Sequence, residues 1–337
     1  MAKKVAKRYL LPEDYMADPS VHVFNGKVYI YPSHDWEDDS NVEDDSGDQY
    51  IMKDYHVLSI DGEPMTGKVT DHGKVLDLED IAWHGRQLWD CDVQEKDGKY
   101  YMYFPMKDKN EVFRQGVAIA DNPAGPFIPQ PEPIHGSYSI DMAVLKDDDG
   151  SYYMYFGGLW GGQLQSYRDN IGIEDPAKNN TPDSPNLPHG DQPAMPSRIV
   201  KLTDDMLQYA EEPKPILVVD ENGKPLTADD PHRFFEASWM HKYNGKYYFS
   251  YSTGDSHLLC YAVGDNPYGP FTYKGVILTP VVGWTTHHSI IEYKGKWYLF
   301  HHDSVPSGGK SWLRSLKVCE IQYDADGNIE TIEGIDE

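Results

Sequence analysis

Four residues able to do proton or metal chemistry recur at one place in a repeated pattern. They are Asp18 (within Ala17-Asp-Pro-Ser20), Asp141 (Ser139-Ile-Asp-Met142), Glu236 (Phe234-Phe-Glu-Ala-Ser238) and His287 (Thr285-Thr-His-His-Ser289). Each stands eight or nine residues before a glycine that ends a turn pair. Hydrophobic alternation would put a core residue at each position. Carboxyl groups confined together cannot all ionise freely, so at least one pKa rises. That splitting equips one carboxyl as an acid and another as a base near neutral pH. The alternative is that each acid caps a turn or pairs with Lys or Arg. Three acids in one register weigh against it.

The elements that must position them are hairpins. A turn pair ending in Gly precedes an aromatic, β-branched run five times, at Gly26, Gly98, Gly150, Gly245 and Gly295. Asn-Gly and Asp-Gly favour two-residue hairpin turns, because both residues need positive φ. An apolar strand precedes each turn. Ala118-Ile-Ala-Asp-Asn-Pro-Ala-Gly-Pro-Phe127 matches Ala262-Val-Gly-Asp-Asn-Pro-Tyr-Gly-Pro-Phe271, which adds a third strand and the start of a fourth. Five such units predict an all-β, five-bladed β-propeller with four antiparallel strands per blade. A β-sandwich is the alternative. In a propeller the innermost strands line a central channel, so the acids converge at one of its mouths. In the second blade the run Leu88-Trp-Asp-Cys-Asp-Val93 points to Asp92, six residues before Gly98. The hairpin glycines lie 50 to 95 residues apart, so some blades carry insertions, the largest and most loop-like within 159–235. No linker divides the chain, which reads as one domain over 1–337 with its core at about 14–325.

Composition narrows the partners. The 30 Lys+Arg against 55 Asp+Glu give a net charge of −25, which argues against nucleic acid and anionic membranes. Acidic clusters such as Glu37–Asp39, Glu43–Asp45 and Asp147–Asp149 read as solvated loops. The 25 Tyr and 8 Trp suit half-buried strands and sugar-facing grooves. No apolar run approaches the ~20 residues needed to span a bilayer. Met1-Ala-Lys-Lys-Val-Ala-Lys-Arg8 lacks a following hydrophobic region, and Cys91, Cys260 and Cys319 have no metal-like or disulfide-like spacing. Both fit a cytoplasmic protein, with a secreted form whose signal has been removed as the alternative. No Gly-x-Ser-x-Gly or phosphate-binding glycine loop is present.

These motifs resemble glycoside hydrolase family 43, five-bladed propeller enzymes acting on xylose- and arabinose-containing polymers. The resemblance covers roughly 14–325. It rests on Ala17-Asp18-Pro19-Ser20, Trp89-Asp-Cys-Asp92 (for the family's Trp-Ala-Pro-Asp), Ser139-Ile140-Asp141, Phe235-Glu236-Ala237, His287-His288-Ser289 and Ser311-Trp-Leu-Arg314-Ser315. It implies Asp18 as general base, Glu236 as general acid and Asp141 as the residue that tunes and orients the acid. It also implies inverting chemistry, in which base and acid stand roughly 6.5–9.5 Å apart around a water. Trp-Asp-Cys-Asp and Phe-Glu-Ala depart from the commoner family patterns and mark a subgroup.

The resemblance makes Trp89 the sugar-stacking residue, beside Asp92. Trp36, Trp83 and Trp160 are weaker candidates. Alternation within 312–318 turns Arg314 inward, where it must meet an anion or acceptor; the family places an arginine there on sugar hydroxyls, and a structural ion pair is the alternative. His287 fills a channel position held by acids in other blades, so it is a candidate metal ligand. Family members hold a calcium-like ion on the axis with one histidine and mostly waters, which suits Ca²⁺ or Mg²⁺. His288 faces the other way, and His34, Asp35, His301 and Asp303 read mostly as turn residues. The implied activity is an exo-acting β-xylosidase on short xylo-oligosaccharides with α-L-arabinofuranosidase side activity. The alternatives are an arabinofuranosidase, an arabinanase or a non-catalytic sugar-binding propeller.

Overall fold

In four of the five repeats the turn pair adopts the geometry its residues favour. Asn25-Gly26, Asp97-Gly98, Asn244-Gly245 and Lys294-Gly295 have φ of 48–52° at the first position and 73–79° at the glycine. Asp149-Gly150 departs from that expectation: only Gly150 takes a positive φ, 81°. Asp147 N–H donates to Ser151 O (2.9 Å) and Gly150 N–H to Asp147 O (3.0 Å), so this hairpin closes through a longer turn.

The computed structural model describes residues 2–284 and 286–336. A short strand, β1 (Lys7–Tyr9), precedes the first blade, formed by β2 (Met16–Phe24), β3 (Lys27–His34), β4 (Asp54–Asp61) and β5 (Lys68–Asp77). The second holds β6 (Asp92–Lys96), β7 (Lys99–Lys107), β8 (Phe113–Ala120) and β9 (Ile128–Pro129). The third holds β10 (Ala143–Lys146), β11 (Tyr152–Phe156), β12 (Ser197–Lys201) and β13 (Lys214–Ile216). The short β14 (Val218–Val219) leads to the fourth, β15 (Glu236–Tyr243), β16 (Lys246–Ser252), β17 (Leu259–Gly264) and β18 (Phe271–Leu278). The fifth has β19 (Ser289–Tyr293), β20 (Lys296–Asp303) and β21 (Ser315–Ile321).

The inner strands β2, β6, β10, β15 and β19 each contact the next, and β19 contacts β2, which closes the ring of a five-bladed propeller. β1 completes the last blade by pairing antiparallel with β21, Lys7 opposite Cys319. Lys3 and Ile332 also form a bridge, so the propeller reaches beyond the expected 14–325 at both ends. β14 adds a parallel fifth strand to the fourth blade, alongside β18. Part of 159–235 is regular blade, since β12 and β13 lie within it. The extra chain is the two stretches that flank these strands.

Much of the tyrosine is structural. Tyr31, Tyr103 and Tyr155, each five residues after its hairpin glycine, and Tyr251, six after, lie fully buried in the second strands of four blades. Each hydroxyl donates to a backbone carbonyl, of Pro123, Met206, Pro267 and His232 respectively, at 2.8–3.0 Å. The ring fills the space between blades and the O–H is satisfied, as burial requires.

Candidate active site

A backbone kink aims the acids. In β2 the register slips between Ala17 and Ser20, and Asp18 sits in the bulge with φ 48°. In β15 it slips between Glu236 and Trp239, with Ala237 at φ 61°. Asp141, just before β10, has φ 61°. These are costly conformations for residues with a Cβ, about 1–3 kcal/mol each. Bulges of this kind re-aim side chains beside functional sites.

The inner strands bring one ionisable group from every blade to the same mouth, with His287 as the hub. Its Nδ1 lies 3.6 Å from Asp18 Oδ1 and 3.9 Å from Asp90 Oδ2. Its Nε2 lies 3.7 Å from both Asp141 Oδ2 and Glu236 Oε1. Asp18 and Glu236 therefore face opposite nitrogens of one imidazole. Burial pulls the ring's pKa down, but Asp141, Asp18 and Glu236 outweigh it and raise it well above the ordinary histidine value. Burial alone would raise Asp18. Arg314, with His287 and His302, overrides this and holds the carboxyl well below the usual carboxylate range. Burial, then the Asp90 charge, push Asp141 well up, and burial lifts Asp90 to about 6.

The second-blade expectation needs correcting. Asp92 is fully buried and does not line the cleft. It meets His22 Nε2 (2.6 Å) and accepts from the backbone N–H groups of Val93 (2.8 Å) and Val144 (2.6 Å), tying three blades together. Asp90 holds the channel position instead. It lies eight residues before Gly98, the spacing that located the other groups. Trp36 is also away from the cleft: its Nε1 donates to Asp54 (3.1 Å) and Lys53 lies over its ring. Trp83 stacks on Phe104.

Trp89 does line the cleft, packed against Phe113 and pinned by Nε1 donating to Tyr50 O at 3.0 Å. Trp160 reaches the wall as well, beside Phe235 and Trp284. Arg314 precedes β21 rather than lying inside a strand, and it makes the ion pairs that were the alternative reading. Nη1 donates to Asp18 Oδ1 (2.8 Å), while Nε and Nη2 grip Asp35 (2.9 and 2.7 Å). Asp35 is thus no turn residue, and Asp303, also buried, pairs with Lys317 at 2.9 Å. His288 turns away from the channel, with Nε2 2.6 Å from Ser250 Oγ. Glu43–Asp45, expected as a solvated loop, forms part of the rim of a cleft of about 670 Å³. Sequence reasoning also missed Tyr50 and Trp284 on its walls and His302, whose Nδ1 accepts from the Asp18 N–H at 3.1 Å.

The fold and site define a propeller hydrolase with paired carboxyl groups at the channel mouth. The sequence profile of glycosyl hydrolases family 43 matches residues 65–181 and 185–329, and the chain belongs to that family. It is 68% identical over 335 residues to a xylosidase/arabinosidase of Bacteroides ovatus, covering 99% of this chain and 100% of that protein. It is 63% identical to a β-xylosidase of Xylanibacter ruminicola, covering 96% of this chain and 99% of the relative. A family 43 β-xylosidase/α-arabinofuranosidase from a compost microbial metagenome, solved with xylotriose in a calcium-free form, superposes with a TM-score of 0.93. That protein is 57% identical, with 100% of both chains covered.

Proposed function

We propose that this protein is an inverting exo-glycosidase that removes terminal β-1,4-linked xylose from short xylo-oligosaccharides, with α-L-arabinofuranosidase side activity. The observation that carries it is the placement of Asp18 and Glu236 across one imidazole at the floor of the cleft. Asp18, kept ionised by Arg314, takes a proton from water on the face of the sugar opposite the leaving group. Glu236 protonates the leaving oxygen, and the anomeric centre inverts. Asp141 Oδ2 accepts from Ala237 N–H at 2.7 Å and so fixes the kinked start of β15 that carries Glu236. Trp89 offers an aromatic wall. Arg314 keeps further N–H groups on Nη1 and Nη2 for a sugar hydroxyl. The names of the relatives, and the xylotriose bound by the compost enzyme, support the substrate class.

A divalent cation fits the axis. Asp141 Oδ1 is buried without a hydrogen-bond partner, and one ligand atom each from Asp90, Asp141 and His287 lie within 4.8 Å of one another. Those three residues would hold Ca²⁺ or Mg²⁺. When bound, the ion supplies positive charge on the channel axis beside the carboxylates. Cytoplasmic action belongs to the same reading, supported by three buried free thiols and checked by cell fractionation.

The test is xylobiose hydrolysis followed by NMR, with paired nitrophenyl β-xyloside and α-arabinofuranoside assays. Release of α-xylose as the first anomer, and faster turnover of the xyloside, is the expected result. Release of β-xylose would overturn inversion, and a dominant arabinofuranosidase rate would reverse the substrate order.

A further inference from the structure

A second cluster lies on the first blade, outside the cleft. His34 ends β3, and Asp54 and His56 share one face of β4. One ligand atom from each falls within 4.8 Å of the others. His34 Nδ1 is 2.6 Å from Asp54 Oδ1, His56 Nε2 is 4.0 Å from Asp54 Oδ2, and the two ring centroids are 4.5 Å apart. Both imidazoles thus turn a nitrogen toward the same buried carboxylate. Their other nitrogens meet separate acids: His34 Nε2 lies 3.4 Å from Asp14 and His56 Nδ1 3.0 Å from Asp71.

We propose that His34, Asp54 and His56 form a second divalent-cation site, independent of the channel and selective for a transition ion such as Zn²⁺. Two imidazoles and one carboxylate are the borderline donors that Zn²⁺, Co²⁺ or Ni²⁺ take and that Ca²⁺ and Mg²⁺ do not favour. Asp14 and Asp71 stand where outer carboxylates hold metal-bound histidines: each faces the ring nitrogen that does not face Asp54, which fixes ring orientation and raises ligand basicity. The side chains of His34 and His56 are 13% and 15% exposed, so an ion can enter from solvent. The site would brace the end of β3. The next residue, Asp35, holds Arg314, and Asp54 also anchors Trp36 at the start of the loop that reaches the cleft rim.

The experiment uses the full-length protein stripped with chelator and titrated with Zn²⁺ by calorimetry, in wild type and in His287→Ala, which removes the channel ligand. His287→Ala should still bind one Zn²⁺, and excess Ca²⁺ should not displace it. Adding His56→Gln should weaken that binding by more than the ~10–100-fold expected for Asp71→Asn, which alters only an outer carboxylate. Wild-type crystals soaked in Zn²⁺ should show an anomalous peak between His34, Asp54 and His56, a measurement that needs no variant to fold. The proposal is overturned if His287→Ala binds no Zn²⁺, if His56→Gln leaves binding unchanged, or if the peak lies elsewhere.

Discussion

Arg314 Nη1 lies 2.8 Å from Asp18 Oδ1, with both groups buried and the same guanidinium clamped on Asp35. A carboxyl this deeply buried would otherwise hold its proton. The arginine, helped by His287 and His302, keeps it ionised. Depression of the Asp18 pKa should keep the base ionised far into acid, so the acidic limb of the native rate profile is expected below the usual carboxylate range.

Arg314→Gln removes the positive charge, and the Asp18 pKa must rise. The acidic limb of kcat/KM on xylobiose should then move to higher pH, and stability should fall by about 3–5 kcal/mol, because buried Asp35 loses its partner. Arg314→Lys keeps a charge without the fork and should give an intermediate limb. pH–rate profiles with both variants decide the matter, and an unmoved limb in Arg314→Gln would remove the arginine from control of the base.

Glu236→Gln should abolish hydrolysis of xylobiose while sparing a xyloside with a very good leaving group, which departs without a proton. Asp18→Asn should lose activity on every substrate, since water must always be activated; losses of about 10²–10⁴-fold are expected for each missing proton transfer. Steady-state rates across a leaving-group series separate the two. Equal losses on all substrates for both variants would erase the acid–base assignment.

The five hairpins were legible because the turn pairs and aromatic runs act locally, and that frame placed Asp18, Asp141, Glu236 and His287 at one mouth. Asp90 was hidden by its neighbour. The reading of the repeat settles on Asp92, six residues before Gly98, although the eight-residue spacing shared with Asp18 and His287 belongs to Asp90. What sequence could not show is long-range: Asp35 meets Arg314 across nearly the whole chain, and β1 pairs with β21 only once the ring closes. The positive φ at Asp18, Asp141 and Ala237 was equally invisible, because tertiary packing imposes it against local preference.

Asp90 and Asp92 therefore predict opposite phenotypes. Asp92→Ala leaves the N–H groups of Val93 and Val144 without their acceptor, at about 1–3 kcal/mol per buried group, and should lower the melting temperature. Asp90→Asn should keep the fold and impair turnover and Ca²⁺ response. Thermal melts run beside activity assays check this, and stable, active Asp92→Ala would show that the three-blade tie is dispensable.

Chelation should lower turnover, and Ca²⁺ or Mg²⁺ should restore it. His287→Ala should be slow with or without added metal, whereas His288→Ala, whose ring faces Ser250, should still respond. Full activity after exhaustive chelation would return His287 to the role of a protonated clamp among four carboxylates.

Lys107 offers a test of stability away from the chemistry. Its side chain is 1% exposed, 3.5 Å from Asp48 and over the Phe113 ring that packs on Trp89. Asp48 is already held by Arg86 at 2.7 Å, so it would not be orphaned by loss of the lysine. Burial, then repulsion from Arg86, bring the Lys107 pKa down to about 8, against the pull of Asp48. An unfolded lysine titrates near ~10.4, so from pH 8 to about 10.4 the unfolded chain binds more protons than the native one, and stability rises with pH. Below pH 8 the full cost of the buried charge is present, roughly 3 kcal/mol at 1.36 kcal/mol per pKa unit. Lys107→Met keeps the length and removes the charge. It should stabilise the protein at pH 7 by about 1–3 kcal/mol and flatten the rise in stability between pH 8 and about 10.4. Urea denaturation at several pH values measures both. A destabilised Lys107→Met would show that Asp48 and the Phe113 ring more than offset the desolvation of the ammonium.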